Sequence, residues 1–207
     1  MTVDRRARRR QETIEEILDL AESVMTEAGV TGLSLAEVAR RLGVQPPSLY
    51  KYFPSLVSVY DALFLRGQRE HLEVVRDAMT SAEPGLDAIR AGLDAGGRWC
   101  LEHRALAQLL FWRPVASFEP TPEALAPSHE MIALIRDQLV RAVAAGQLGP
   151  AADSDEAVAL ISILTAGTLS QAMANEPQLG WGESRFSALF PTLIGLLPAA
   201  YPAVGSS

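Results

Sequence analysis

The sequence is poor in the residues from which reactive and metal-holding sites are usually built. Its 207 residues include one cysteine, Cys100. No internal disulfide is therefore available, which suits a reducing cytoplasm. The three histidines, His71, His103 and His129, show no ligand spacing, so no metal site is expected. No phosphate loop, dinucleotide fingerprint or internal repeat is present, and no cofactor is expected. The basic N-terminus leads into no apolar run of the secretory type. Aromatic residues make up 6% of the chain, and where they cluster is informative.

Two features invite a reading that the rest of the sequence does not favour. Cys100 and His103 lie one helical turn apart with Glu102 nearby, and a thiol–imidazole pair can be nucleophilic. One turn of helix supplies no third orienting group, and no glycine-rich oxyanion loop adjoins it. Packing is the favoured role, with a helical enzyme using Cys100 as an alternative. The run AVALISILTAGTLSQAMA, Ala157 to Ala174, is apolar nearly all round and just long enough for a membrane span. Two Ser, two Thr and a Gln inside it argue against a span. A buried helix rich in small residues is expected instead, either a subunit core helix or half of a dimer interface with Phe186–Leu197.

What is present in quantity is helix-forming sequence with an uneven charge. The composition, 48% hydrophobic and 21% charged, is that of a globular chain. The net charge is −7, yet residues 1–53 balance eight Arg/Lys against eight Asp/Glu. Five of those cations lie between Arg5 and Arg10. An acidic body with a basic tip can bind a polyanion through the tip.

Helical periodicity runs from Gln11 to Ala28, with Ile14, Ile17, Leu18, Ala21, Val24, Met25 and Ala28 on one face and Gly29 as the stop. Ser34 caps a second helix, with Glu37 three residues on, and Gly43 ends it. The stretch GVQPPSLYKYF then places two prolines before three aromatics. Pro46 is expected outside a third short helix and Pro47 at its first position, so the pair fixes where that helix begins. Leu49 and Phe53 anchor it. Gln45, Ser48, Lys51 and Tyr52 fall on or beside the other face, with Tyr50 at an edge. Two short helices joined by a glycine turn form a helix-turn-helix, and the exposed start of the second one is the end that meets bases and phosphates.

The segment AGVTGLSLAEVARRLGVQPPSLYKYFPSLVSVYDAL, Ala28 to Leu63, resembles TetR-type transcriptional regulators. It shows the Gly and the Ser cap, the Leu-Gly-Val turn, Leu-Tyr-x-Tyr-Phe and then a further helix. The resemblance covers about residues 11–71, which it implies are a TetR-type DNA-binding domain with the helix-turn-helix at 34–53. It further implies that residues 72–207 form a helical effector-binding and dimerisation domain of a homodimer. Family members usually carry Lys near the start of the fourth helix. Here Leu56 stands in its place, so Ser55 and the Arg5–Arg10 arm are the substitutes for that phosphate contact.

Beyond residue 54 the pattern predicts helices over about 55–80, 86–102, 104–112, 129–145, 154–175 and 183–200. A proline-rich loop is expected over 113–128, with a turn of helix near Glu123, and Pro191 is expected to kink the last helix or mark a discontinuity in it.

The expectation is an all-α protein with an N-terminal three-helix DNA-binding domain and a C-terminal helical domain. The expected DNA-binding residues are Ser34, Gln45, Pro46, Pro47, Ser48, Tyr50, Lys51, Tyr52 and Ser55. Trp99, Phe111, Trp112, Phe118, Met131, Thr165, Gln171 and Met173, together with Trp181, are the expected lining of a site for a hydrophobic or amphipathic small molecule. The function expected is that of a cytoplasmic homodimeric repressor, released by ligand from a palindromic double-stranded DNA operator. A constitutive DNA-binding protein without an effector is the other reading.

Overall fold

The computed structural model describes residues 2–116 and 118–203, and side-chain environments from Arg5 onward. All the regular structure among the described residues is helical: α1 (Thr2–Ala28), α2 (Leu35–Leu42), α3 (Leu56–Thr80), α4 (Leu86–Glu102), α5 (Arg104–Phe111), α6 (Pro122–Ala144), α7 (Asp155–Asn175), α8 (Phe190–Ile194) and α9 (Leu197–Ala200). Short 3-10 turns lie at Val30–Gly32, Pro46–Ser48, Pro150–Ala152 and Ser187–Leu189. The all-α class read from the sequence is the class observed.

The chain divides into two compact units, residues 1–67 with 104–125, and residues 68–103 with 126–207. The first is built on the apolar face of α1. Ile17, Leu18, Ala21, Val24 and Met25 are buried there, as are Val38 and Ala39 of α2 and Val59, Leu63 and Phe64 of α3. Complete burial of one such aliphatic side chain stabilises by about 1.5–3 kcal/mol. Tyr60 joins the same core and donates its hydroxyl proton to the Val30 carbonyl at 2.7 Å. Burial raises the pKa of that phenol.

In the second unit, the start of α4 lacks a Ser or Asp cap. Two glutamines substitute: Gln138 Oε1 accepts from the Gly85 N–H at 3.0 Å, and Gln147 Oε1 from the Leu86 N–H at 2.9 Å. This satisfies donors that a helix start leaves open. Gly97 has a steric reason to be glycine, since a Cβ there would lie 2.5 Å from the Trp181 ring. Trp181 also packs on Phe190 at 5.2 Å between centroids and donates its indole N–H to Asp94 Oδ1 at 2.7 Å.

Four sequence expectations need correction. First, α1 begins at Thr2 rather than Gln11, so the basic arm is helical. Second, the proline-rich loop is shorter than expected. Thr121 caps α6 by accepting from the Ala124 N–H, Pro122 takes its first position, and Pro127 sits inside it. Pro127 forgoes one backbone bond without ending the helix. Third, the final stripe is not one helix. It is a 3-10 turn followed by α8 and α9, with Pro191 and Pro198 each in a first turn. Fourth, the segment after Pro46 is not a regular α-helix, as described next.

Candidate nucleic-acid interface

The scaffold of the interface is α2, fixed at both ends. The Ser34 hydroxyl accepts from the Glu37 N–H at 3.3 Å, and Gly43 closes the helix at φ 73°, ψ 25°. That left-handed conformation is the one glycine adopts most readily. Glu37 does not return a bond to Ser34, as a full capping box would. Its carboxylate instead takes Arg40 Nη2 at 2.7 Å and Arg41 Nε at 2.8 Å. Arg41 also reaches α1, binding both carboxylate oxygens of Glu27 at 2.7 and 2.8 Å and Ser23 Oγ at 3.1 Å. The guanidinium groups of Arg40 and Arg41 hold the Glu37 carboxyl down to about 2. This latch between α1 and α2 was not apparent in the sequence, where the ends of the Arg41–Glu27 pair are 14 residues apart.

From Gln45 the chain turns into the recognition segment. Gln45 is extended (φ −74°, ψ 141°), as a residue before proline should be. Both Pro46 and Pro47 lie within the first turn, so Pro46 is inside the winding, not outside it as expected. The Ser48 N–H donates to the Gln45 carbonyl at 2.9 Å, Leu49 to Pro46 at 3.0 Å and Phe53 to Leu49 at 2.9 Å. The segment is therefore a 3-10 turn followed by loosely wound residues. Pro54 limits its length, because the residue before a proline is pushed out of helical geometry.

The faces nevertheless separate as the pattern predicts. Leu49 and Phe53 are buried, whereas Gln45, Pro47, Tyr50 and Lys51 are exposed, with Pro46, Ser48 and Tyr52 between. Tyr50 is 53% exposed. The Tyr52 ring lies between two cations, with Lys51 Nζ 4.9 Å and the Arg10 guanidinium 5.2 Å from its centroid. Arg10 Nη1 also donates to the Lys51 carbonyl at 3.2 Å. At the start of α3, the Ser55 hydroxyl accepts from the Ser58 N–H at 3.1 Å, and Ser58 Oγ accepts from the Ser55 N–H at 3.2 Å. Ser55 thus caps α3, and Leu56 behind it is half-buried.

The residues expected to line a ligand site are divided between the units. Phe111, Trp112 and Phe118 belong to the first. Phe111 and Trp112 form an exposed edge-to-face pair, 6.1 Å between centroids, and Phe118 is buried against Tyr60 and Phe64. Trp99, Met131, Thr165, Gln171 and Met173 belong to the second. Trp99 is buried and stacks on His103 at 4.9 Å, with His71 5.2 Å from its ring. Met131, Thr165 and Met173 are half-buried. Gln171 borders an apolar groove with Ile163, Leu164, Gly167, Thr168, Phe186, Leu189 and Leu193.

Burial settles the chemistry of the remaining groups. Cys100 is fully enclosed and its thiol is pushed up to about 12. A thiol so protonated and so inaccessible is no nucleophile. Burial pushes the His71 imidazole down to about 4, so it is neutral at pH 7. Among the described residues no cluster of His, Cys, Asp and Glu has the geometry to hold a metal ion. One described helix, α7, is long and apolar enough to cross a membrane. Within the second unit, of which it is part, it buries Ala157, Ile161, Leu169 and Ala172.

A capped helix, a glycine turn and a second winding with polar groups turned outward define a helix-turn-helix protein. The family model for bacterial regulatory proteins of the tetR family matches residues 17–63. Over these residues the chain is similar to TetR-family transcriptional regulators. It is 32% identical over 68 residues to the HTH-type transcriptional regulator YobS of Bacillus subtilis, covering 33% of this chain and 36% of YobS. It is 29% identical over 128 residues to the HTH-type transcriptional repressor DrrR1 of Streptomyces coeruleorubidus, covering 60% of this chain and 43% of DrrR1. The chain thus spans less than half the length of either relative. Its fold is similar to that of FadR from Bacillus subtilis, solved in complex with stearoyl-CoA. The TM-score is 0.69 at 16% identity, over 88% of this chain and 96% of that one.

Proposed function

We propose that the chain is a cytoplasmic homodimeric repressor that reads a palindromic duplex operator through Gln45–Tyr52 and is released by a hydrophobic or amphipathic small molecule. One observation carries the DNA-reading part. Leu49 and Phe53 tie the recognition segment to the core while Gln45, Pro47, Tyr50 and Lys51 stay exposed beside it. On this reading residues 11–71 are the DNA-binding domain, with the helix-turn-helix at 34–53, and residues 72–207 bind the effector and dimerise. Lys51 and the Tyr50 and Tyr52 hydroxyls hold phosphates, Gln45 and Ser48 reach base edges, and Pro46-Pro47 sets the approach. Ser34 and Ser55 cap the flanking helices and offer groups near the backbone.

The groove bordered by Ile163, Gly167, Leu189 and Leu193 supports the dimer assignment. Ile163 is 67% exposed and Leu189 56%, and such an apolar strip is characteristic of a contact surface. Release by an apolar effector agrees with the acyl-CoA held by FadR and with the exposed Phe111–Trp112 pair. Helix α3 contributes to both units and is the element through which ligand and operator exclude each other. Two recognition segments must lie about 34 Å apart to meet successive major grooves, so a tilt of α3 changes the fit.

Selection of random duplexes on the protein, followed by sequencing, tests the reading. A palindrome is the expected result, and no enrichment would remove the DNA-reading claim. Effector coupling is tested by calorimetry with and without saturating operator. Coupling is reciprocal, about 1–3 kcal/mol in typical cases, and equal ligand affinities would separate the ligand site from regulation. Trp112→Ala is expected to abolish the ligand response while leaving operator binding nearly intact.

A further inference from the structure

The basic arm is not a tail but the opening turns of α1, and its arginines do not all face one way. Arg10 faces the recognition segment, bound to the Lys51 carbonyl and laid on Tyr52. On an α-helix, Arg6 lies within about 40° of Arg10, and Arg9 about 60° beyond Arg6 on the same side. Arg8 points about 160° away from Arg10, and its Nε pairs with Glu12 Oε1 at 3.2 Å. Glu15 shares that far side, about 140° from Arg10. Glu16 lies on the Arg9 side but about 10 Å further along the axis. Arg6 and Arg9 are both exposed. Arg6 therefore shares the side of Arg10 that faces Lys51, Arg9 stands at its edge about 100° from Arg10, and Arg5 and Arg8 point about 140° and about 160° away, Arg8 toward its acidic partner.

We infer that Arg6 and Arg9 form a second set of DNA phosphate contacts along α1, that Arg10 is the positioning residue holding this ridge beside Lys51 and Tyr52, and that Arg8 takes no part. These residues precede the segment matched by the family model. The inference rests on the DNA-reading function proposed above. It extends that surface from one segment to two, joined by the Arg10–Lys51 bond. Because the contacts are to the phosphate backbone, they add affinity without sequence preference.

The test uses the full-length protein with the duplex it selects and with an unrelated duplex, each measured over a range of salt. An Arg6→Gln/Arg9→Gln double variant keeps helix-compatible side chains, and far-UV circular dichroism checks that helix content is retained. Each phosphate contact contributes about 0.9 to the slope of log affinity against log salt. The double variant should therefore lose about 1.8 in slope per bound head. Its affinity should fall by the same factor on both duplexes, on the order of tenfold at low salt. Arg8→Gln should leave the slope unchanged. Arg10→Gln and Lys51→Ala should be non-additive when combined, since both cations pack on the Tyr52 ring.

An unchanged slope in the Arg6/Arg9 variant, with Lys51→Ala still lowering it, would overturn the inference and leave the DNA-reading function standing. Arg8→Gln reducing the slope like the others would also overturn it, because the arm would then act as undivided charge. If the wild-type protein selects no duplex, the function and the inference fall together.

Discussion

The recognition segment and the α7 groove are both exposed, yet they differ in chemistry and in how they are held. Around the recognition segment, the exposed groups are Gln45, Tyr50, Lys51 and the arginines of α1, and salt-bridged Arg41 fixes the backing helix. Along the groove the exposed groups are Ile163, Gly167, Leu189 and, at its border, Gln171. Hydrated cations suit a partner that releases counterions when bound, whereas uncovered aliphatic side chains suit one that removes them from water. The contrast points to a polyanion at one surface and another protein chain at the other.

The largest effect expected is at the groove. A side chain at Gly167 would meet nothing within 4 Å, so Gly167→Asp should fold normally as a single chain. Burying that unpaired charge in a dimer would cost about 3–5 kcal/mol, and light scattering should show monomer. A folded variant that remains dimeric would remove α7 from the interface.

The second effect separates the two units by acid. The His71 imidazole, in the second unit, has a folded pKa near 4, below its ordinary 6.5. The unfolded state binds the extra proton between those values, so the contribution of His71 is complete above pH 6.5 and is lost as pH falls toward 4. The loss amounts to as much as about 3 kcal/mol. Glu37, in the first unit, is depressed from 4.5 to about 2, so its contribution is complete above pH 4.5 and is lost only as pH falls through about 2. At pH 4.5 hydrogen exchange should therefore show the second unit loosened and the α1–α2 latch intact. His71→Gln should flatten the pH dependence of the second unit.

Smaller again is the effect of Lys51→Ala, which should reduce the salt slope by about 0.9 per bound head and weaken all sequences alike. A loss confined to one base position would make Lys51 a base reader. Last comes Pro47→Gly, expected to cost about 0.4–1 kcal/mol of stability through the unfolded chain, with a larger fall in operator affinity. Unchanged operator binding would show that the prolines do not set the approach.

Local signals in the sequence were dependable. The Ser34 cap, the Gly43 stop, the bounds of α3, α4 and α7, and the burial of Leu49 and Phe53 all follow from patterns spanning a few residues. Signals that depend on distant partners were not legible. Nothing in the spacing ties Arg10 to Lys51, 41 residues later, or gives Gln138 and Gln147 the task of capping α4. Thr121 and Pro122 start α6 early because a cap and a first-turn proline outweigh the helix-breaking reputation of prolines nearby. The proposed ligand residues were grouped by type, and type alone does not say which compact unit each one joins.

Trp181 carries an optical consequence. Its ring rests against Gly97 and Phe190 while its N–H is held by Asp94, so its emission reports whether the segment after α7 is seated on α4. Undocking would move this indole from an apolar wall into water and shift its fluorescence to longer wavelength. Trp99 is already buried and Trp112 already exposed. A Trp99→Phe/Trp112→Phe protein would therefore leave one intrinsic reporter of that joint, readable during dimer assembly without any attached dye.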